Sequence, residues 1–235
     1  MSSRLVDFLA SLIVPPSCCS CGAEPAGSSD VLCRRCSNLI PVLPAAICDR
    51  CAQPLPCGVC PAEVSAWDRA YSACEHRGAA KALVHNLKAT ASKRTAELMA
   101  AEIAGRLEPK QLSGFAILPV PARRQQDSAS ACDHAGALAG ALSVLTGRPL
   151  IRGLLSGGSS ARQATARRVV RLSHNRFKMV VAGRPPLRCV LVDDVHTTGA
   201  TFEACASALR SAGAQQIVCV SFARAVDRGR MAAAW

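Results

Sequence analysis

Residues 190–201 read VLVDDVHTTGAT, and their types and order suit one kind of chemistry. Val190, Leu191 and Val192 are apolar and largely β-branched, as a buried central strand of a parallel sheet should be. Asp193 and Asp194 stand where that strand is expected to end. Val195 and His196 then lead into Thr197, Thr198, Gly199, Ala200 and Thr201, and a helix-like run follows over 202–210. A loop that opens a helix presents unpaired backbone N–H groups and the positive end of the helix dipole, which together suit a phosphate dianion. Gly199 lets the backbone come close, and three threonine hydroxyls add donors without bulk. Carboxylates one step upstream can accept from vicinal ribose hydroxyls, and open α/β sheets bind ligands at the carboxyl ends of their strands. The residues therefore imply a phosphorylated sugar. The plainer alternative is an acidic strand end followed by threonines that cap a helix.

A second chemistry lies in the cysteines. The chain has 14, and 9 of them fall between Cys18 and Cys60. They include four CxxC units, namely Cys18–Cys21, Cys33–Cys36, Cys48–Cys51 and Cys57–Cys60. A CxxC turn puts two thiolates on one side of a tight knuckle, and two knuckles complete a tetrahedral S4 site for zinc. Sequential pairing uses the first four for one metal and the last four for a second. The close spacing of the second set also allows an interleaved arrangement or one shared site. Disulfides are the competing reading, and Cys19 stands outside the pattern.

The elements that must position these groups follow from the rest of the chain. Its 235 residues are enough for one α/β domain with a small appendage. Half the residues are hydrophobic but only 3% are aromatic, so the core must be rich in Ala, Val and Leu, and broad aromatic stacking on bases is excluded. A formal charge of +12 and a pI near 9.4 fit a polyanionic partner, or a bias toward arginine in the source. Residues 1–14 carry Leu5, Phe8, Leu9, Leu12 and Ile13 at helical spacing, with Asp7 among them. That stretch is too short and too charged to span a membrane, and no small-residue cleavage site follows. The expected location is the cytoplasm, where paired thiols mean metal rather than disulfide.

Further along, 67–74 reads as an edge strand and 79–107 as one or two helices with Leu83, Leu87, Met99, Ile103 and Leu107 on the inner face. An apolar strand at 115–120 is followed by Arg123 and Arg124, whose guanidinium forks suit an oxygen-rich polyanion. Asp133 can cap a helix over 133–145. A short strand is expected at 149–152, a basic, glycine-containing run at 154–171, and a strand at 177–181. The central strand covers 187–192, a helix over 200–211 stops at Gly213, and a last strand covers 216–223. Cys74, Cys189, Cys205 and Cys219 read as buried core thiols.

VLVDDVHTTGAT resembles the phosphoribosyl pyrophosphate (PRPP) signature of type I phosphoribosyltransferases. The four CxxC pairs, Tyr71, the Leu87–Lys88 helix end and the Pro119–Val120–Pro121 segment further resemble the ComF (competence protein F, or GntX-like) branch over nearly the whole chain. The resemblance implies an α/β fold of the type I phosphoribosyltransferase kind, mostly parallel with helices on both faces. A zinc-ribbon head would cover 15–62 and the transferase-type domain 66–235. It further implies PRPP bound with Mg2+, one or two structural Zn2+ ions, and a role with internalised single-stranded DNA or a DNA-uptake helicase. Asp193 and Asp194 would then hold the ribose hydroxyls, 195–201 would wrap the 5′-phosphate, and Arg123 and Arg124 would face the pyrophosphate. Lys88 would either reach the phosphate pocket or remain a solvated lysine at a helix end.

One departure matters. Where the family carries Arg-Gly-Phe-Asn/Asp-Gln-Ala, residues 130–135 are SACDHA, which puts a substrate-loop contact and full catalytic competence in question. Gln163 and Asn175 fit the family's later pattern, while Arg171 is one place off. Two functions follow. The first is a PRPP-binding enzyme. The second is a single-stranded nucleic-acid adaptor that keeps the anion site, recruits partners through its ribbon, and uses Arg162, Arg167, Arg168 and Arg171 on a phosphate backbone.

Overall fold

The computed structural model describes residues 17–25, 27, 31–57, 60–107, 112–121, 133–157 and 179–228. The expected helix at 1–14, Arg123 and Arg124, and the basic positions Arg162 to Asn175 lie outside them.

Two long strands organise the sheet. β5 (Arg188–His196) and β6 (Gln216–Arg224) are buried at most positions, as interior strands of a parallel sheet must be. β1 (Arg69–Glu75) pairs with β6 and β2 (Ala116–Pro119) with β5, so the order is β1-β6-β5-β2 with every pairing parallel. β1 is thus an edge strand, as its sequence implied. The strand expected at 149–152 reduces to a single bridge between Leu150 and Ile117. β3 (Leu155–Gly157) and β4 (Met179–Val181) form a separate antiparallel pair.

Helices cover both faces. α1 (Arg34–Asn38) belongs to the cysteine-rich segment. The run at 79–107 resolves into α2 (Gly78–Thr90) and α3 (Lys93–Ala104), because Ala91 turns left-handed at φ 45° and Ser92 caps Thr95 N–H. These two, with α4 (His134–Thr146), pack on one face, where Leu83, Leu87, Met99 and Ile103 are buried. α5 (Ala200–Ser211) covers the other and ends before Gly213 at φ 110°, the expected stop. Cys74, Cys189, Cys205 and Cys219 are all buried.

The cysteine segment divides between the two faces. Cys18, Cys33 and Cys36 join the core under α2 and α3, whereas Cys51 joins the core under α5 with Cys48, Cys57 and Cys60 packed against it. The two leading knuckles share one hydrogen-bond pattern. Cys18 N–H donates to Ala23 O and Gly22 N–H to Cys18 O; Cys48 N–H donates to Gln53 O and Ala52 N–H to Cys48 O. The residue after each CxxC is left-handed, Gly22 at φ 76° and Ala52 at φ 55°.

The acidic pair differs from expectation. β5 does not stop at Val192, because β6 supplies ladder partners as far as Arg224: Asp193 lies opposite Ser221, Val195 opposite Ala223 and His196 opposite Arg224. The register passes over Asp194, whose N–H donates to Asp193 Oδ1. Side-chain alternation also breaks there. Val190 and Val192 face the first core and Cys189 and Leu191 the second, yet Val195 leans on the first and the His196 ring packs on Phe202 in the second. A regular strand would send adjacent carboxylates to opposite faces; this irregularity lets both reach one place. No helix among the described residues is long and apolar enough to cross a membrane.

Leu87 is fully buried one residue before Lys88. Leu87→Ala should destabilise the protein by about 2–5 kcal/mol through the cavity it leaves. Equilibrium urea unfolding measures this, and a loss under about 1 kcal/mol would mean that α2 is not anchored there.

Candidate functional site

At the carboxyl end of β5 three elements converge. Asp194 is buried at 3% exposure, with Lys88 Nζ of α2 at 3.3 Å and His134 Nε2 of α4 at 3.4 Å from its Oδ2. Oδ2 is closed off from solvent and makes no aligned hydrogen bond, its contacts being these two nitrogens at ion-pair distance. One ligand atom each from His134, Asp193 and Asp194 lie within 4.8 Å of one another, a spacing that can also hold a cation. Lys88, left open between two roles by its sequence, stands at the acidic pair with its side chain about half exposed.

From sequence His134 could be a general base, although a single histidine at a helix start is more often a surface residue; the structure sets it beside Asp194. Its placement follows from the cap. Asp133 Oδ1 accepts from Gly136 N–H at 2.8 Å, and its Oδ2 accepts from Arg152 at 2.9 Å. A Cβ on Gly136 would lie 1.9 Å from Asp133 Oδ2, so only glycine admits this closure. The locked cap aims the first residue of α4 at Asp194.

The threonine loop lies at the start of α5. Thr197 and Thr198 are exposed, Ala200 and Thr201 half-buried, and Gly199 buried. Gly199 is the N-cap at φ 83° and, being glycine, offers no side chain of its own to the helix end. Thr198 Oγ1 accepts from Ala200 N–H at 3.3 Å. A Cβ at Gly199 would stand 2.9 Å from Trp67 and 3.1 Å from His196, so glycine is required by both conformation and space.

His196 is not an exposed ligand group. Its ring lies edge-on between Trp67 at 6.0 Å and Phe202 at 5.2 Å. Burial, with Arg224 adding to it, lowers its pKa to about 3, so it is neutral near pH 7. Its role here is to floor the loop. Val195 packs partly buried against the first core.

Arg224 was also missed. It is 2% exposed at the end of β6 and donates to the carbonyls of Cys51 at 2.8 Å, His196 at 2.7 Å, Ala225 at 2.9 Å and Thr197. An arginine closing an otherwise apolar strand was the available signal. Trp67, seen in sequence only as a strand opener, donates from Nε1 to Arg50 O at 2.8 Å.

The cysteines form two groups, Cys18–Cys21–Cys33–Cys36 and Cys48–Cys51–Cys57–Cys60, with each group's sulfurs within 4.8 Å. This is the sequential grouping. Sulfurs about 2.3 Å from a tetrahedral metal are separated by about 3.8 Å; Cys21 and Cys33 are 3.7 Å apart and Cys48 and Cys60 3.8 Å. The electrostatics agree. Against a burial that opposes it, hydrogen bonds from the backbone around Cys33, Cys21 and Ser20 draw Cys18 down to about 6. Burial and the nearby Cys48 push Cys51 upward. Four thiols this close ionise together only around a cation. Each group can hold a metal ion.

No family model and no curated protein matches the sequence. Among solved structures, the chain is similar to the hypoxanthine phosphoribosyl transferase of Trypanosoma cruzi, at 13% identity and a TM-score of 0.34, over 55% of this chain and 65% of that one. It thus spans less than two thirds of that protein. A glutamic acid mutant from a study of an invariant aspartic acid in HPRTs is similar at 13% identity and a TM-score of 0.34, over 55% of this chain and 67% of that one.

Two outcomes follow from this geometry. Gly199→Ala should lower the thermal midpoint by several degrees, in keeping with a strained backbone position costing about 1–3 kcal/mol; an unchanged midpoint would contradict the packing of Trp67 on the loop. Because the folded pKa of His196 lies below its ordinary value, the unfolded chain binds the extra proton between about 6.5 and 3, and stability contributed by the neutral ring is lost as pH falls through that window. Thermal midpoints of His196→Phe should therefore decline less steeply with acid than those of the parent. Parallel declines would remove His196 from the acid response.

Proposed function

We propose that the chain is a phosphoribosyltransferase-like protein of the ComF kind that binds PRPP with Mg2+. A zinc-bearing head over 15–62 is set on a type I transferase domain over 66–235. The observation that carries this reading is the meeting, at one end of β5, of a buried carboxylate flanked by Lys88 and His134 and a glycine-opened, threonine-bearing helix start. A ribose fits the first group and its 5′-phosphate the second.

In this reading the side chains of Asp193 and Asp194 accept from the ribose 2′- and 3′-hydroxyls. The hydroxyls of Thr197, Thr198 and Thr201 and the backbone from Val195 to Ala200 surround the 5′-phosphate, with Gly199 allowing close approach. Lys88 stands beside the acidic pair, its ammonium placed to offset negative charge on the bound polyphosphate. Arg123 and Arg124 are assigned to the pyrophosphate from sequence. The reaction breaks the bond from the sugar's anomeric carbon to the pyrophosphate oxygen and joins that carbon to an acceptor nucleophile. Positioning and electrostatics carry most of such a step. Mg2+, when bound, would neutralise charge on the departing oxygens, and the carboxylates of Asp193 and Asp194 are the oxygen donors that would hold it.

Zinc is the metal assigned to both cysteine groups, since S4 donors at tetrahedral spacing select it. The protein would work in the cytoplasm, and the resemblance adds a place in the handling of single-stranded DNA. The net charge of +12 supports a polyanionic partner of that kind.

Calorimetric titration of PRPP–Mg2+ tests the reading. The parent should bind, and Asp194→Asn should bind roughly tenfold more weakly or worse, as expected for loss of a charged acceptor, while keeping the zinc of its cysteine groups. No binding by the parent would overturn the proposal, and binding of a single-stranded oligonucleotide in its place would favour the adaptor. Metal analysis of the purified chain should return two equivalents of zinc; less than one would reject the zinc head.

A further inference from the structure

Arg224 links two parts of the molecule that the functional reading treats separately. Its Nε donates to Cys51 O, inside the second cysteine knuckle, and its Nη1 donates to the carbonyls of His196 and Thr197, inside the phosphate loop. Two further contacts tie the knuckle to the residues that follow Arg224, and Trp67 ties it to the loop. Gln53 Nε2 donates to Ala225 O at 3.0 Å, Asp227 N–H donates to Gln53 Oε1 at 3.2 Å, and Trp67 spans from Arg50 O to the underside of Gly199. A cavity of about 210 Å³ lies along the seam, with Gln53, Cys57 and Pro61 on one wall and Thr197, Thr198 and Arg224 on the other. Among the described residues the first cysteine group has no counterpart to this. Its buried members join the core under α2 and α3, on the face away from α5.

We infer that Arg224 is a positioning residue through which the second cysteine group, Cys48–Cys51–Cys57–Cys60, holds the phosphate loop in shape. The inference rests on the phosphate-site reading for its functional consequence, though the mechanical link stands on the hydrogen bonds alone. A metal in that group fixes the 48–51 turn and therefore the position of Cys51 O. Arg224 carries that position to the carbonyls of His196 and Thr197, which orient the peptide units just ahead of Gly199. When the turn loosens, the loop loses the acceptor arrangement that keeps its N–H groups facing outward. The first cysteine group should serve the other face alone.

The test compares full-length Cys57→Ser, Cys21→Ser and Arg224→Lys with the parent by hydrogen exchange of peptides spanning 196–201, with metal content measured in parallel. Cys57→Ser, expected to lose one metal, should speed exchange in 196–201 by roughly tenfold or more, the scale of a lost buried hydrogen bond to a charged group. Cys21→Ser, expected to lose the other metal, should leave that segment's exchange as in the parent. Arg224→Lys should retain both metals and still speed exchange there, because an ammonium cannot reproduce the fork. PRPP affinity should fall in step for Cys57→Ser and Arg224→Lys. Equal loop protection in Cys57→Ser and the parent, or equal loosening by both cysteine variants, overturns the inference. If the parent binds no PRPP, the functional reading fails, while the exchange data still decide whether the knuckle holds the loop. Should Cys57→Ser not fold, Arg224→Lys with intact metal content carries the same comparison.

Discussion

A guanidinium almost wholly removed from solvent is tolerated only where fixed acceptors surround it, and at the end of β6 four carbonyl oxygens do so. Those carbonyls come from three places: the second cysteine knuckle, the end of β5, and the residue after Arg224 itself. The requirement runs in both directions. Arg224 cannot be buried unless the knuckle, the strand and the loop are correctly placed, and each of them loses a hydrogen bond if the others shift. The ladder brings this about, because in-register pairing of β5 with β6 sets His196 opposite Arg224.

Few aromatic residues are available to this chain, and their placement reflects that scarcity. Trp67 and Phe202 enclose His196 directly beneath Gly199. Elsewhere the cores hold Phe115 and Phe222 among aliphatic residues and buried thiols. Cysteine clusters supply what a short N-terminal segment cannot obtain from apolar burial, one on each face of the sheet. A rigid floor under a glycine-opened helix start is also what a phosphate site needs, since the anion is bound by backbone whose position must be fixed before it arrives.

Local signals in the sequence were sufficient for much of this. The apolar run of β5, the start of α5 at Ala200, its stop at Gly213 and the four CxxC units depend on neighbouring residues alone, and they stand where period, caps and spacing put them. Long-range pairing was not legible. The extension of β5 through Asp193 and Asp194 depends on how far β6 continues alongside, and the break in side-chain alternation that gathers both carboxylates is a tertiary effect. His134 reaches Asp194 only because Asp133, Gly136 and Arg152 close the α4 cap in one geometry. Arg224 and Gln53 are far apart in sequence, and nothing local marks them as members of one seam.

In the proposed function the loop at the start of α5, with the carboxylates beside it, receives a phosphorylated pentose. Backbone amide NMR during titration with ribose 5-phosphate tests it most directly, because it reads each N–H in turn. The account predicts saturable shifts centred on Thr198, Gly199, Ala200 and Thr201, with Asp194 following at the sugar end. Saturable binding that leaves those amides unmoved, or that perturbs another surface in their place, would contradict it.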